Sequence, residues 1–590
     1  MHTKREKISS RIGIDSASIA IALIVIAGII VYLNSISGAF IWDDDHFVVG
    51  NVFLRSWSYL PRIFTTYVGE GSGELYNYYR PLAIFTYLID YTVWKLDVTG
   101  YHLSNILLHV LVAVSVFWLG YRLAADRLLA FIAGLIFAVH PVYTQTVAYI
   151  SGRPDSLAGI FLLIAFCIYA KKEWRRPVSM WIFMLAAYVL ALLSRENGVV
   201  LPGLILIYHY AFRRRIPAKR FLTLCAIALL YLVPRFLLLE PSRGAPPFTV
   251  RFPGFGVAVL NYLRLLLLPL HLHQEYGQRL FTWNDPRVAA GFLLGLFLLL
   301  YGLSRRKRDP LIAFGIGWFF VALIPAMNIF PVRTYMGEHW LYLPSIGLWL
   351  ISAKLISSLL RSKRGRPASV VPGVLIIVCF GSLTVKQNNY FSEPLAFYER
   401  TLRYTPESAR MHNNLGNIYF TRGRTEAAIR SWQEAITLDP LYPEAYSNLG
   451  NAYLQTGNIE AARALFQRAL EIRPDYADAY NNLGVACCRE GKIEEGIVFF
   501  RKAVESNPVD ADAFSNLGSA YNMIGRKKEA MVCYLSALSI NPEYARAHYF
   551  LARLFFEEST FKKALYHYKQ ALRLGHPPDP ELEKLTVPSE

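Results

Sequence analysis

The chain has 590 residues, a formal net charge of +18, 54% hydrophobic residues and only 18% charged ones. From Tyr390 onward it carries 23 Lys and Arg against 25 Asp and Glu, which leaves 38 against 18 in the region before. The basic residues of that first region stand in short clusters between apolar runs, as the positive-inside rule places them. No basic face or base-stacking module accompanies them, so a nucleic-acid partner is excluded.

In chain order, Met1 to Lys7 is basic and precedes an apolar run from Ser16 to Tyr32. No small-residue cleavage site follows, which predicts an uncleaved first span. A crossing needs about 20 apolar residues, and candidates lie near 16–37, 103–122, 127–143, 155–171, 178–194, 198–213, 219–239, 287–304, 310–329, 341–360 and 369–386. With the N-terminus in the cytoplasm, the clusters Lys171 to Arg176, Arg213 to Arg220, Arg305 to Arg308 and Arg361 to Arg366 all fall on the cytoplasmic face. Eleven crossings then put everything after them outside. Val257 to Leu270 is apolar but short and reads as a re-entrant or interfacial helix.

The polar residues between these spans carry the chemistry. After the first span comes Trp42-Asp43-Asp44-Asp45-His46, at the start of an outer loop over 38–102. Three adjacent carboxylates repel, which raises the pKa of at least one of them and suits a general base acting on a hydroxyl. A solvated or calcium-binding loop is the plainer reading of the same residues. The expected topology gathers further polar groups on the same face: Arg80, His140, Arg153, Asp155, Arg195, Glu196, Arg333, Glu338 and His339. Ionisable groups at membrane depth are costly and usually functional. Arg80, Arg153, Arg195 and Arg333 together fit a phosphate or pyrophosphate, which guanidinium forks hold well. Taken singly, each is as readily an interfacial anchor or a cap, and His140 fits a bond to a backbone carbonyl. No phosphate-loop or glycine-rich dinucleotide motif appears. A site on the outer face draws poorly on cytoplasmic nucleotides, so a lipid-linked phosphosugar is the natural donor.

Beyond residue 409 a 34-residue period is plain. Leu-Gly recurs at Leu415, Leu449, Leu483 and Leu517, with Leu551-Ala552 in a fifth unit, and Pro440, Pro474, Pro508 and Pro542 end the units. Ala428, Ala462, Gly496, Ala530 and Ala564 supply the small packing positions. This is the tetratricopeptide pattern of paired helices. Pro406 marks a capping helix over Leu395 to Tyr404. Asn414, Asn417, Asn448, Asn451, Asn482 and Asn516 recur on the first helix of the units, where they could grip an extended peptide in the concave groove or merely satisfy the repeat consensus. The six cysteines show neither a disulfide framework nor metal-ligand spacing, and no metal site is assigned.

These residues resemble the transmembrane and tetratricopeptide-repeat-containing O-mannosyltransferases and their bacterial relatives, of the GT-C class of glycosyltransferases. The likeness runs through Trp42-Asp43-Asp44 to Asn51, Tyr79-Arg80-Pro81, His140-Pro141-Val142, Ser151-Gly152-Arg153-Pro154-Asp155, Ser194-Arg195-Glu196-Asn197 and Glu338 to Ser345, followed by the repeats. It departs from the family at Gln145, where Glu is usual, and at His339-Trp340, where Arg-Tyr is usual. The resemblance implies a polyprenyl-phosphate sugar donor, inverting transfer, and Asp43 as base with Asp44 as the alternative.

The expectation is thus an all-α protein. A polytopic GT-C-like membrane region spans 1–389, a linker and capping helix 390–408, five repeats 409–578 and a tail 579–590. Its expected partners are membrane lipid, the lipid-linked sugar, and a protein acceptor held by the repeats. Modest cysteine use and the lack of targeting signals favour a bacterial inner membrane, with the repeats periplasmic. Two rivals stand beside the enzyme. A non-catalytic scaffold leaves the costly polar clusters without a purpose, and a transporter would line a path through the bilayer instead of one face.

Overall fold

The computed structural model describes residues 17–73, 78–171, 177–238, 246–277, 279–329, 334–362 and 366–586. Arg333 and the basic residues Lys172, Arg175 and Arg176 lie outside the described residues. Among those described, the elements are helical and no strand occurs. The chain divides into two compact units: Met1–Asp44, Ile63–Val68 and Asn77–Pro406 form one, and Asp45–Arg62, Gly69–Tyr76 and Glu407–Glu590 the other.

The membrane unit contains fourteen described helices of ten or more residues: α1 Ala17–Tyr32, α2 Pro81–Trp94, α3 Val98–Ala124, α4 Arg127–Val139, α5 Arg153–Tyr169, α6 Pro177–Ser194, α7 Leu201–Ala211, α8 Ala218–Leu238, α9 Pro253–Leu267, α10 Pro286–Arg305, α11 Pro310–Leu323, α12 Ser345–Arg361, α13 Arg366–Ser392 and α14 Pro394–Tyr404. Their starts are written in local chemistry. Asp97, Asp126 and Asp285 each accept a backbone N–H of the following turn at 2.9–3.2 Å, and Pro opens α2, α9, α10 and α11, where its missing N–H costs nothing. Where two helices must come close, side chains are absent. A methyl on Gly291 would meet the backbone of Gly256, and one on Gly315 that of Gly347, so α10 lies directly on α9 and α12 on α11. Polar bonds add to this: Asn388 of α13 donates to the Val31 carbonyl and to Asn34 at 2.8 Å each, tying the last long helix to the first.

Seven described helices are long and apolar enough to cross a membrane, eight if the bent pair Arg127–Val139 and Pro141–Val147 is one span. The expected spans near 198–213 and 310–329 are α7 and α11, eleven and fourteen residues long. At 1.5 Å per residue these reach about 17 and 21 Å, short of a bilayer core of about 30 Å. The segment expected to be re-entrant begins earlier than its apolar run. Phe248–Leu267 spans 20 residues and meets the length and composition of a crossing. The loop 38–102 is not simply a loop, since it contains α2.

The second unit holds five helix pairs whose first members begin at Ala409, Pro443, Ala477, Ala511 and Ala545, a spacing of 34 residues. In each of the first four pairs the Leu-Gly glycine faces an aromatic ring of the second helix: Trp432, Phe466, Phe500 and Tyr534. Those rings are buried, which is why the period is so regular in sequence. The segment 45–62 belongs to this same unit. Tyr59 donates its hydroxyl to the Ser539 carbonyl at 3.1 Å, at the end of the helix Lys527–Ile540.

Candidate functional site

The acidic segment is built around a buried carboxylate. Asp44 has no exposure and accepts N–H bonds from Ile41 (3.1 Å) and Ser151 (2.8 Å), together with the Ser151 hydroxyl. Burial, only partly offset by these donors, pushes its pKa up to about 7. Asp43, beside it, is half-buried. Its backbone N–H donates to the Tyr149 hydroxyl at 3.2 Å, and the two carboxylates add to burial in holding that phenol well above its usual range. The residue that turns the chain is Trp42, at φ 55 in the left-handed region, where a bulky side chain is strained. Its N–H is taken by the Tyr398 hydroxyl, and its ring meets Phe397 edge-on at 5.9 Å. A strained backbone clamped from α14 thus fixes where the Asp43 carboxylate stands.

A second cluster couples charges in pairs. Arg80 grips Glu196 with two bonds, 2.7 and 3.2 Å, and Arg195 pairs with Asp155. Burial opposes ionisation of Glu196, yet Arg80, Arg235 and Arg195 together outweigh it and hold the carboxyl well below its usual range. Two polar atoms here are shut off from solvent without a partner: Arg195 Nε and His339 Nδ1. Burial, with the cations Arg195 and Arg80 nearby, keeps His339 neutral far below its usual pKa. The two clusters share one electrostatic neighbourhood, because the Tyr87 phenol, raised first by burial, responds to Arg153, Asp44, Asp90 and Arg80 alike. Unmatched buried polar atoms usually mark a ligand position or a water. A neutral imidazole and a guanidinium N–H fit an anionic oxygen.

Other expected site residues stand differently. Arg153 is fully buried and spent inside the fold. It pairs with Asp90 at 2.6 Å, donates to Asn105 (2.6 Å) and the Tyr101 carbonyl (3.1 Å), and lies over the Tyr87 ring. It braces the segment that carries Ser151. His140 is buried between the Leu266 carbonyl and the Val142 N–H, against Trp349 and Phe380. Glu338 accepts from the Tyr276 hydroxyl (2.6 Å) and the His273 N–H (2.7 Å), and burial raises its pKa to about 8. Gln145, the family departure, accepts from the His339 N–H at 3.1 Å and so positions that residue. No group of three or more His, Cys, Asp or Glu able to hold a metal ion occurs among the described residues.

Sequence reading did not single out Tyr87, Asp90, Asn105, Tyr149 or Tyr276. Asp90 left a signal, as a lone carboxylate within the apolar run Pro81–Trp94. The tyrosines left none among 37.

In the repeats the asparagines largely bond to one another. Asn448 donates to Asn413 (2.9 Å), Asn516 to Asn481 (3.0 Å) and Asn482 to Ser447 (3.3 Å), while Asn417 accepts from Trp432 (3.1 Å) and Asn414 from Asn413 (3.2 Å). They form a ladder between successive repeats.

Family models described as TPR repeat match residues 416–457 and 450–489, and models described as tetratricopeptide repeat match 477–510, 511–544 and 533–579. A Caenorhabditis elegans protein O-mannosyl-transferase is 28% identical over 443 residues, 72% of this chain and 63% of its own length. The human protein O-mannosyl-transferase TMTC1 is 27% identical over 72% of this chain and 56% of its own. The chain therefore spans less than two thirds of these relatives. The crystal structure of MamA aligns at 25% identity and TM-score 0.24, covering 29% of this chain and 98% of that one. Through the relatives and the repeats together, the chain is a homologue of the transmembrane and tetratricopeptide-repeat-containing protein O-mannosyltransferases.

Proposed function

We propose that the chain is an inverting membrane glycosyltransferase of GT-C type, taking a sugar from a polyprenyl-phosphate donor and passing it to a hydroxyl of a protein held by the repeats. The observation that carries this is the pairing of a half-buried carboxylate, Asp43, with a neighbouring cluster whose Arg195 Nε and His339 Nδ1 lack partners. In the reaction the acceptor oxygen attacks the anomeric carbon and its proton passes to the Asp43 carboxylate. The bond from that carbon to the phosphate oxygen breaks, and its electron pair leaves on the phosphate. Arg195 and His339 meet the charge that develops there. Asp155 keeps Arg195 in place, and Asp44, enclosed by its donors, holds the turn. The positive-inside rule supports a cytoplasmic N-terminus, with the site and repeats on the outer face, and the membrane in this reading is a bacterial inner membrane.

The test is sugar transfer in purified membranes from radiolabelled polyprenyl-phosphate sugars to endogenous acceptors. Loss of a general base costs roughly 10²–10⁴ in rate, so Asp43→Asn is expected to fall by that much at unchanged expression. Equal labelling by wild type and Asp43→Asn removes Asp43 from the role. No labelling above empty membranes, across several donors, favours the second reading, a non-catalytic scaffold. That reading draws on the internal pairing of Arg80, Arg153 and Arg195, which leaves each cation neutralised within the fold.

A further inference from the structure

In the membrane unit, the end of α5, the end of α7 and the approach to α8 border an open cavity of about 290 Å³. Tyr169, Tyr208, His209, Arg214, Arg215 and Arg220 line it, and none of its lining residues among those described is acidic. Its floor is ordered. Tyr208 and His209 are buried, with His209 held between the Tyr169 hydroxyl (2.7 Å) and the Arg214 carbonyl (3.3 Å). Arg214 bonds the Tyr208 hydroxyl and lies 5.1 Å from its ring, and Arg220 lies 5.5 Å from the Trp181 ring. Three exposed guanidiniums therefore rise from an aromatic base around a space that holds several waters at roughly 30 Å³ each. An anion among these cations is favoured by their charge. Guanidinium forks match phosphate oxygens, and weak hydration lets them work at an interface.

The surroundings identify the source of that anion. Leu206, Ile216 and Leu222, on the helices that bound the cavity and the turn between them, are 40–64% exposed, a surface for acyl chains. The cavity lies at the end of the candidate span Ile150–Tyr169, and the end of a span stands near the headgroups. It is remote from the candidate active site, because α5 starts beside Asp155 and runs about 24 Å before reaching Tyr169.

We propose that this cavity binds the phosphate of an anionic lipid headgroup, with Arg214, Arg215 and Arg220 as its ligands. Basic pockets between membrane helices recognise such headgroups. The test is native mass spectrometry of the full chain titrated with phosphatidic acid or phosphatidylcholine, for wild type, Arg215→Gln/Arg220→Gln and Arg305→Gln/Arg308→Gln. The last pair removes the same charge from another basic cluster. Melting temperatures taken in parallel verify folding, and Arg215→Lys/Arg220→Lys reports charge without the fork. Wild type is expected to hold one phosphatidic acid in preference to phosphatidylcholine. The first variant should weaken that binding about fivefold per arginine, and the Arg305/Arg308 variant should leave it unchanged. No preference in wild type, or equal loss in both Gln variants, overturns the proposal, since a diffuse basic surface explains either. A competition arm uses inorganic phosphate. Displacement at millimolar levels supports the phosphate site and assigns it to a soluble source, whereas lipid retained under phosphate assigns it to the bilayer.

Discussion

Asp43 and Asp44 are neighbours in the chain with different surroundings, one half-buried and the other enclosed. Asp44 is enclosed, with burial holding its pKa near 7 against 3.8 in the open chain. Because the folded pKa is raised, its contribution to stability is whole below about pH 4 and is lost as pH rises towards 7. Asn cannot ionise and retains an oxygen for the Ser151 N–H. The difference in apparent melting temperature between wild type and Asp44→Asn, followed from pH 4 to 8 by tryptophan fluorescence, should therefore move in favour of the variant up to about pH 7 and then level. A constant difference would mean that Asp44 is not buried as described. Sequence alone marked the acidic triplet through charge repulsion. It could not tell which member is enclosed, because that depends on Ser151, 107 positions away. Arg153 was legible as a costly cation and illegible as a spent one, since its partner Asp90 sits on another helix.

At the scale of elements, the repeats were the most readable part and the membrane helices less so. A repeat advertises itself because each unit needs the same small residue against the same ring, as Gly450 against Phe466 and Gly484 against Phe500. A membrane helix is marked only by apolar length, which gives no clear boundary where a run is short, as at α7, or where Phe248 and Pro253 extend it unseen. The asparagines show the limit of consensus reading. Cutting the ladder by Asn448→Ala or Asn516→Ala should cost about 1 kcal/mol of repeat stability each, measured by urea unfolding. Asn451 takes no part in those bonds, so Asn451→Ala should leave stability unchanged and weaken only capture of a peptide. Gly450→Ala is expected to cost about 1–3 kcal/mol, because its new methyl falls on the Phe466 ring. Stability unaltered by Gly450→Ala would show that the ring has room to shift.

At the scale of the molecule, the boundary between the two units falls inside the acidic triplet. Asp44 ends one stretch of the membrane unit, and Asp45 begins a segment that packs with the repeats. Tyr59 fastens that segment to the carbonyls of Ser539 and Ile540, at 3.1 and 3.4 Å, where a helix end leaves acceptors unfilled. Gly73, at φ 76, faces the Asn507 side chain too closely for any methyl. The chain thus passes from Asp43 into the unit of the repeats within two residues. If acceptor capture is aligned through this segment, loosening it should harm only acceptors bound by the repeats. Tyr59→Phe removes one hydrogen bond of about 1 kcal/mol, so KM for a protein acceptor should rise about fivefold, with kcat for a short soluble hydroxyl acceptor unchanged. Gly73→Ala, which strains the backbone as well, should act in the same direction and more strongly. Equal losses with both acceptors would mean that the segment supports the fold of the acidic turn itself. Unchanged kinetics with both, alongside faster proteolysis at Arg55 and Arg62, would reduce it to a covering strap over the repeats.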